Sequence, residues 1–227
     1  MDDGFRPVRG VAFDMDGLMF DTERIAIEGW LAAGRQMGLA VTPELVLLTL
    51  GIDETGTHEI LVDRLGTEID FPLFRRLRLQ YADDWIRQNG IPVKPGLVEL
   101  LTWLKSNGYR ITMATSTASA RARSNLEEAG LSEYFTDIAG GDMVARGKPA
   151  PDIYLKAAAL MGLPPGDCMA LEDSPTGILS AWRAGMKPVM VPDLIEPDDA
   201  TGGRLFARLA SLRDVIPLLE TLPRPCG

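Results

Sequence analysis

VAFDMDG, residues 11–17, is the stretch of sequence that decides the fold. It places the apolar run Val11-Ala12-Phe13 directly before Asp14 and Asp16, and a glycine closes it. A short apolar run that ends in Asp and Gly is typical of a buried strand followed by a turn. We therefore predict a strand whose end carries two carboxylates.

From position 92 onward the chain alternates between short apolar runs and amphipathic segments. The predicted strands cover 110–114, 135–139, 168–171 and 188–191, and the predicted helices cover 97–105, 118–129, 151–161 and 175–184. Strands that alternate with helices at this spacing imply parallel crossovers. The predicted fold class is α/β, a doubly wound, Rossmann-like parallel sheet with helices on both faces.

Residues 22–91 have a different texture, because their apolar residues recur at helical spacing. Breaks fall at Gly51, Gly66 and Pro72, and no run in this segment favours a strand. We therefore predict two domains: an α/β core formed by 1–21 and 92–227, and an all-helical domain, 22–91, inserted after the first strand.

Charge and composition restrict the partners. The formal net charge of −9 disfavours nucleic acid and acidic membrane surfaces as partners. The two cysteines offer no disulfide framework, and neither a signal peptide nor a membrane-spanning run is found. We expect a cytoplasmic protein, a monomer or weak homodimer, that acts on a small molecule.

Polar residues lie at the ends of the predicted strands or in the loops just beyond them, at four places in the sequence. They are Asp14 and Asp16, Thr115 and Ser116, Lys148, and Glu172 and Asp173. In an open parallel sheet, ligands bind beyond the carboxyl ends of the strands. The fold would therefore bring these side chains to one edge of the sheet, although each also fits helix capping or a solvated loop.

The paired aspartates favour a divalent cation. Two carboxylates near a phosphate dianion repel each other by roughly 4 kcal/mol per pair at 4 Å and an effective dielectric constant of about 20. Oxygen ligands beside a phosphate favour magnesium. Two rival motifs fail: a strand precedes Asp14 where a calcium loop needs a helix, and Pro149 follows Lys148 where a Walker loop needs Ser or Thr.

Together these motifs resemble those of a known family. Asp14-x-Asp16-Gly17-x-x-x-Asp21, Thr115, Lys148-Pro149 and Glu172-Asp173-Ser174 resemble the four motifs of the haloacid dehalogenase superfamily. The resemblance extends over about residues 9–191. The helical segment resembles the α-helical cap of the branch that contains β-phosphoglucomutase and many sugar- and nucleotide-phosphate phosphatases.

The resemblance implies roles for the residues of the reacting centre. Asp14 would be the nucleophile, and Asp16 the general acid and then the general base. Thr115, Ser116 and Lys148 would hold the phosphate. Because a halide leaves without a proton, the second aspartate points to phosphoryl transfer instead of dehalogenation.

The resemblance also implies a magnesium site and a reaction. Asp14, the backbone carbonyl of Asp16, Glu172 and Asp173 would hold Mg²⁺. The predicted activity is a magnesium-dependent phosphatase that hydrolyses a sugar or nucleotide monophosphate through an aspartyl phosphate.

Two alternatives remain open at this point. A sugar-phosphate mutase would share every core residue, although mutases that resemble this chain carry a histidine where a gap-free count reaches Ala26. A catalytically silent binding or regulatory protein is the other alternative, and the complete set of motifs argues against it.

Overall fold

A computed structural model describes residues 7–49 and 54–223. These residues form two compact units, one made of 7–20 with 92–223 and the other of 21–49 with 54–91. The first boundary lies one residue before the predicted one. Asp21 directly precedes the first helix of the second unit, where its Oδ1 accepts a hydrogen bond from Arg24 at 2.5 Å.

The described residues of the second unit form helices joined by short loops. Its helices are α1 (Thr22–Met37), α2 (Pro43–Leu47), α3 (Glu54–Leu65) and α4 (Phe71–Asn89). The rings of Trp30 on α1 and Phe74 on α4 meet edge to face, 5.4 Å between centroids. Gly29 permits this close packing, because a Cβ there would lie 2.7 Å from the carbonyl oxygen of Arg78.

The first unit contains a parallel sheet, which has six strands within the described residues. They are β1 (Gly10–Phe13), β2 (Arg110–Ala114), β3 (Ile138–Ala139), β4 (Cys168–Glu172), β5 (Lys187–Met190) and β6 (Ala207–Arg208). Their order is β3-β2-β1-β4-β5-β6, and every pair is parallel. The direction of winding reverses between β1 and β4, so the predicted doubly wound sheet is confirmed.

Helices connect the strands. They are α5 (Leu97–Ser106), α6 (Ser119–Glu128), α7 (Asp152–Met161) and α8 (Pro175–Arg183), followed by the short α9 (Asp199–Gly202) and α10 (Val215–Glu220). On one face of the sheet, α7 and α8 pack against small strand residues, which include Ala12, Ala114 and Ala170. None of the described helices is both long and apolar enough to span a bilayer.

The predicted strand 135–139 is wrong in extent, since only Ile138 and Ala139 form a strand in the sheet. This strand lies at the edge of the sheet and pairs only with the last two residues of β2, while a 3₁₀ turn over Ser132–Tyr134 precedes it. The sequence prediction also missed β6, whose two residues, Ala207 and Arg208, are too few to form a pattern.

Candidate active site

A tight loop after β1 places Asp14 at the end of the sheet. The amide of Asp14 donates to the carbonyl of Leu171 on β4, at 3.0 Å, so its backbone extends the strand pairing. The amide of Gly17, whose φ of +83° suits glycine, donates to the carbonyl of Phe20 at 2.9 Å. The loop thereby turns back within a few residues, and Asp14 is left 7% exposed.

Asp16 is hydrogen-bonded to the loop that follows β2. The hydroxyl of Thr117 donates to Asp16 Oδ2 at 3.0 Å, and the amide of Thr117 donates to the hydroxyl oxygen of Thr115 at 3.0 Å. Thr115 is itself buried, and its amide donates to the carbonyl of Ala139 on β3. The ends of three neighbouring strands are therefore linked by hydrogen bonds.

Ser116 lies between these two threonines, with its side chain exposed. Its backbone is packed closely, because a Cβ on Gly141 would lie 2.2 Å from the Ser116 carbonyl oxygen. The amide of Gly141 also donates to the Thr117 carbonyl at 3.0 Å. The glycine after β3 is therefore required for the shape of the loop that carries the predicted phosphate-binding residues.

Lys148 lies between two buried carboxylates. Its Nζ is 2.5 Å from Asp14 Oδ1 and 2.5 Å from Glu172 Oε1. The Lys148 side chain is only 9% exposed, and that of Glu172 is fully buried. These are charge-assisted contacts in a region of low dielectric constant, so they fix the position of the ammonium group.

Helix α8 holds the loop that carries Lys148. The hydroxyl of Ser180, fully buried on α8, donates to the carbonyl of Ala150 at 2.5 Å. One turn further along, Arg183 donates to the carbonyl of Pro149 at 3.0 Å. The position of Lys148 therefore depends on the last turn of α8 as well as on its own loop.

Glu172 has donors on both of its carboxylate oxygens. Oε1 accepts from Lys148 Nζ and from the hydroxyl of Tyr154 at 2.6 Å. Oε2 accepts from the hydroxyl of Ser174 at 3.1 Å and from its amide at 3.4 Å. Donors to both oxygens therefore fix the orientation of the Glu172 carboxylate.

Asp14, Glu172 and Asp173 form a buried acidic cluster. Each offers one oxygen, and the three oxygens lie within 4.8 Å of one another. Like charges at that distance repel by roughly 3–4 kcal/mol per pair at an effective dielectric constant of about 20. Lys148 supplies one positive charge, which is fewer than the carboxylates it faces. The cluster therefore carries an excess of negative charge, and its oxygen donors fit a divalent cation such as Mg²⁺.

Burial and the neighbouring charges together shift the pKa values of Asp14 and Lys148. Burial raises the pKa of Asp14 to about 8, with Glu172 adding to the shift, although Lys148 opposes it. Burial would lower the pKa of Lys148, but the charges of Asp14 and Glu172 more than offset that effect and raise it. The lysine therefore stays charged, and Asp14 takes up a proton near neutral pH when no metal ion adds to the effect of Lys148.

Four of the predicted residues meet directly: Asp14, Lys148, Glu172 and Asp173. The other three, Asp16, Thr115 and Ser116, lie on the adjoining loops at the same edge of the sheet. Thr117 links two of these loops through its hydrogen bonds to Asp16 and Thr115. Two further residues of the site, Thr117 and Tyr154, were not predicted. Thr117 could have been found, since it follows Thr115 by two residues. Tyr154 could not, because an aromatic residue on the apolar face of a helix is typical of the core.

Gly177, in the first turn of α8, makes room for Glu172. A Cβ at this position would lie 1.9 Å from the Glu172 carboxyl carbon and from Oε1. Because Glu172 is enclosed, we expect Gly177→Ala to displace its carboxylate and to lower the free energy of unfolding by roughly 1–3 kcal/mol, the usual cost of overpacking.

Gly202→Ala on α9 is the matched control, because no atom lies within 4 Å of a Cβ there. Alanine has the higher helix propensity, so the control should be neutral or slightly more stable. Urea unfolding of both variants measures the difference. A Gly177 variant as stable as the Gly202 variant would show that Glu172 is not enclosed as described.

Comparisons with known proteins agree with this geometry. The family model for haloacid dehalogenase-like hydrolases matches residues 8–185. A Drosophila melanogaster protein named "Probable pseudouridine-5′-phosphatase" is 33% identical, and the match covers 96% of each chain. The "Phosphorylated carbohydrates phosphatase" of Thermotoga maritima is 29% identical, over 80% of this chain and 84% of that protein.

A solved structure is similar along nearly its whole length. The crystal structure of CbbY from Rhodobacter sphaeroides in complex with phosphate matches with a TM-score of 0.74 and 25% identity, covering 92% of this chain and 96% of that one. This chain belongs to the haloacid dehalogenase-like hydrolase family, and it is an enzyme of that family.

Proposed function

We propose that the chain is a magnesium-dependent phosphatase that hydrolyses small phosphorylated metabolites through a phosphoryl group carried on Asp14. One observation carries the proposal: the Lys148 ammonium bridges Asp14 and Glu172 at 2.5 Å, at the edge of the sheet where Asp173 also lies. A buried carboxylate beside a fixed cation is suited to attack a phosphorus atom, because the developing charge is stabilised where it forms.

In the first step, an oxygen of Asp14 attacks the phosphorus atom in line with the ester oxygen. A bond forms between that oxygen and phosphorus, and the bond from phosphorus to the ester oxygen breaks. Asp16 donates a proton to the departing alkoxide, which leaves as an alcohol. The hydrogen bond from Thr117 to Asp16 Oδ2 orients the carboxyl group for this transfer.

In the second step, water attacks the phosphorus atom of the aspartyl phosphate. Asp16, now a carboxylate, takes a proton from that water, and the bond from phosphorus to Asp14 breaks. Inorganic phosphate is released, and both aspartates return to their starting states. Thr115, Ser116 and Lys148 hold the phosphoryl oxygens throughout, through hydroxyl, amide and ammonium donors.

The acidic cluster fits Mg²⁺, and we assign Asp14, Asp173 and the backbone carbonyl of Asp16 as its ligands. Bound magnesium would neutralise charge on the phosphoryl oxygens. Glu172 was also predicted as a ligand, but its Oε1 already accepts from both Lys148 and Tyr154. Its contacts favour a role in orienting Lys148.

The substrate class follows from the relatives and the site. The names of the two relatives refer to phosphorylated carbohydrates and to pseudouridine 5′-phosphate. Phosphate release should therefore be measured across a panel of sugar phosphates and nucleoside monophosphates, with hexose 1-phosphates supplemented by a trace of the matching 1,6-bisphosphate. We expect free phosphate from at least one member. Conversion of a 1-phosphate to the 6-phosphate with little free phosphate would establish a mutase instead.

Magnesium binding should release a proton at neutral pH. The pKa of Asp14 is about 8 in the metal-free protein, so the carboxyl group is largely protonated at pH 7. A bound cation favours the carboxylate, and the proton must leave. We therefore expect release of close to one proton per Mg²⁺ at pH 7, and an affinity that rises as the pH rises toward 8.

Calorimetry in two buffers of different ionisation enthalpy measures this proton. Asp14→Asn removes both the titrating group and one proposed ligand, so it should bind Mg²⁺ more weakly, and any binding that remains should not depend on the buffer. Excess EDTA should abolish phosphate release. Equal binding enthalpies in both buffers would contradict the protonation of Asp14, and full activity in EDTA would contradict the magnesium assignment.

A further inference from the structure

We infer that Tyr154 is a positioning residue of this site: its buried hydroxyl holds the Glu172 carboxylate so that Glu172 keeps the Lys148 ammonium against Asp14. The inference rests on the proposed function. It adds a residue that touches neither the reacting atoms nor the metal ligands assigned above.

The contact is short and completely enclosed. The Tyr154 hydroxyl donates to Glu172 Oε1 at 2.6 Å, and both residues are 0% exposed. Lys148 Nζ contacts the same oxygen at 2.5 Å and lies 5.3 Å from the centre of the tyrosine ring. Tyrosine and lysine therefore share one carboxylate oxygen, and the geometry of one donor constrains that of the other.

Simple core packing does not account for the hydroxyl. The ring of Tyr154 is part of a buried hydrophobic cluster that also contains the strand residues Ala12, Ala114 and Ala170. A phenylalanine ring would fill that space equally well. The hydroxyl is buried beside this apolar cluster and donates its hydrogen bond to a carboxylate, so its contribution is to the charge network.

Each side of the Glu172 carboxylate is constrained by a different element. Tyr154 on α7 and Lys148 hold Oε1, Ser174 holds Oε2, and the carboxylate occupies the space that a Cβ on Gly177 of α8 would fill. Removal of the tyrosine hydroxyl frees one lone pair of Oε1, and the carboxylate can then rotate. The ammonium of Lys148 donates to that oxygen, so it would lose its fixed position relative to Asp14.

The test compares two tyrosine-to-phenylalanine variants. Tyr154→Phe removes only the hydroxyl, and we expect kcat/KM for phosphate release to fall about tenfold, the usual effect of one hydrogen bond to a charged group. Tyr134→Phe is the matched control: the Tyr134 hydroxyl lies 3.0 Å from that of Thr102, away from the acidic cluster. The control should retain wild-type kcat/KM. An equal effect of the two variants would overturn the inference.

A double-mutant cycle tests whether Tyr154 acts through Glu172. If it does, Tyr154→Phe should cost nothing further in a protein that already carries Glu172→Gln. Independent losses that multiply in the double variant would overturn the inference. Thermal unfolding of each variant ensures that only folded protein is compared.

A spectroscopic measurement tests the same link without any turnover. The chain has five lysines, so the Nζ resonance of Lys148 can be assigned in ¹⁵N-lysine-labelled protein by its absence from Lys148→Arg. We expect Tyr154→Phe to shift or broaden this resonance, while Tyr134→Phe leaves it in place. If wild-type protein releases phosphate from no ester, the proposed function fails, but this resonance still tests the position of Lys148. A Lys148 resonance unchanged in Tyr154→Phe would overturn the inference.

Discussion

Asp14→Asn is expected to lower phosphate release to background, a loss of about four orders of magnitude or more in kcat. The asparagine keeps the shape of the side chain but removes the attacking carboxylate and one ligand charge from the proposed magnesium site. The fold should persist, because the backbone amide of residue 14 still pairs with the carbonyl of Leu171.

Asp137→Asn is the matched control, since the side chain of Asp137 is exposed and outside the acidic cluster. It should retain wild-type activity. Both variants should be assayed for phosphate release with the same substrate and the same magnesium concentration. An Asp14 variant that keeps more than a small percentage of the wild-type rate would exclude this residue as the nucleophile.

Lys148→Met is expected to affect both activity and stability. Methionine preserves most of the apolar stem but leaves Asp14 and Glu172 facing each other without the ammonium between them. Removing one partner from a buried ion pair costs about 3–5 kcal/mol in the free energy of unfolding. Phosphate release should fall at least about a hundredfold, because the cation also stabilises charge on the phosphoryl group.

The loss of stability should depend on pH in a definite direction. Without Lys148, no ammonium opposes the effect of burial on Asp14, so its ionisation costs more and its pKa in the folded protein lies further above that in the unfolded chain. The penalty is absent below the unfolded pKa, near 4, and grows as the pH rises toward the folded value. The Lys148 variant should therefore be destabilised more at pH 8 than at pH 5.

Lys105→Met provides the comparison. Lys105 forms a similar ion pair, 2.8 Å from Glu133, but both side chains are more than half exposed. Exposed pairs contribute less than about 1 kcal/mol, so this variant should unfold almost like the wild type at both pH values. Equal effects for the buried and the exposed lysine, measured by urea unfolding, would refute the assigned role of Lys148.

Much of the fold could be predicted because its signals are local. The apolar run before Asp14 and the strand 110–114 are each followed by a polar turn, and both strands lie where these local signals predict them. The edge strands were harder to predict. β3 and β6 have two residues each, and their extent depends on which neighbour pairs with them, a tertiary effect that no local pattern records.

The site also has a part that the sequence predicts and a part that depends on tertiary packing. Asp14, Lys148, Glu172 and Asp173 were predictable because parallel strands end at a common edge, whatever the distance between them in sequence. The orientation of Glu172 was not, since it depends on Tyr154 from α7 and on the missing Cβ of Gly177 on α8. Such contacts arise only when two crossover helices pack on the same face of the sheet.

The phosphorylated state of Asp14 is the central claim, and mass spectrometry measures it directly. Enzyme mixed with magnesium and an active substrate should be quenched in acid within one turnover, digested and analysed at low pH, where acyl phosphates survive longest. We predict a mass increase of one phosphoryl group on the peptide that contains residues 10–23, localised to Asp14 and absent from Asp14→Asn. A phosphoryl group on another residue, or turnover with no phosphorylated peptide at any quench time, would contradict this account.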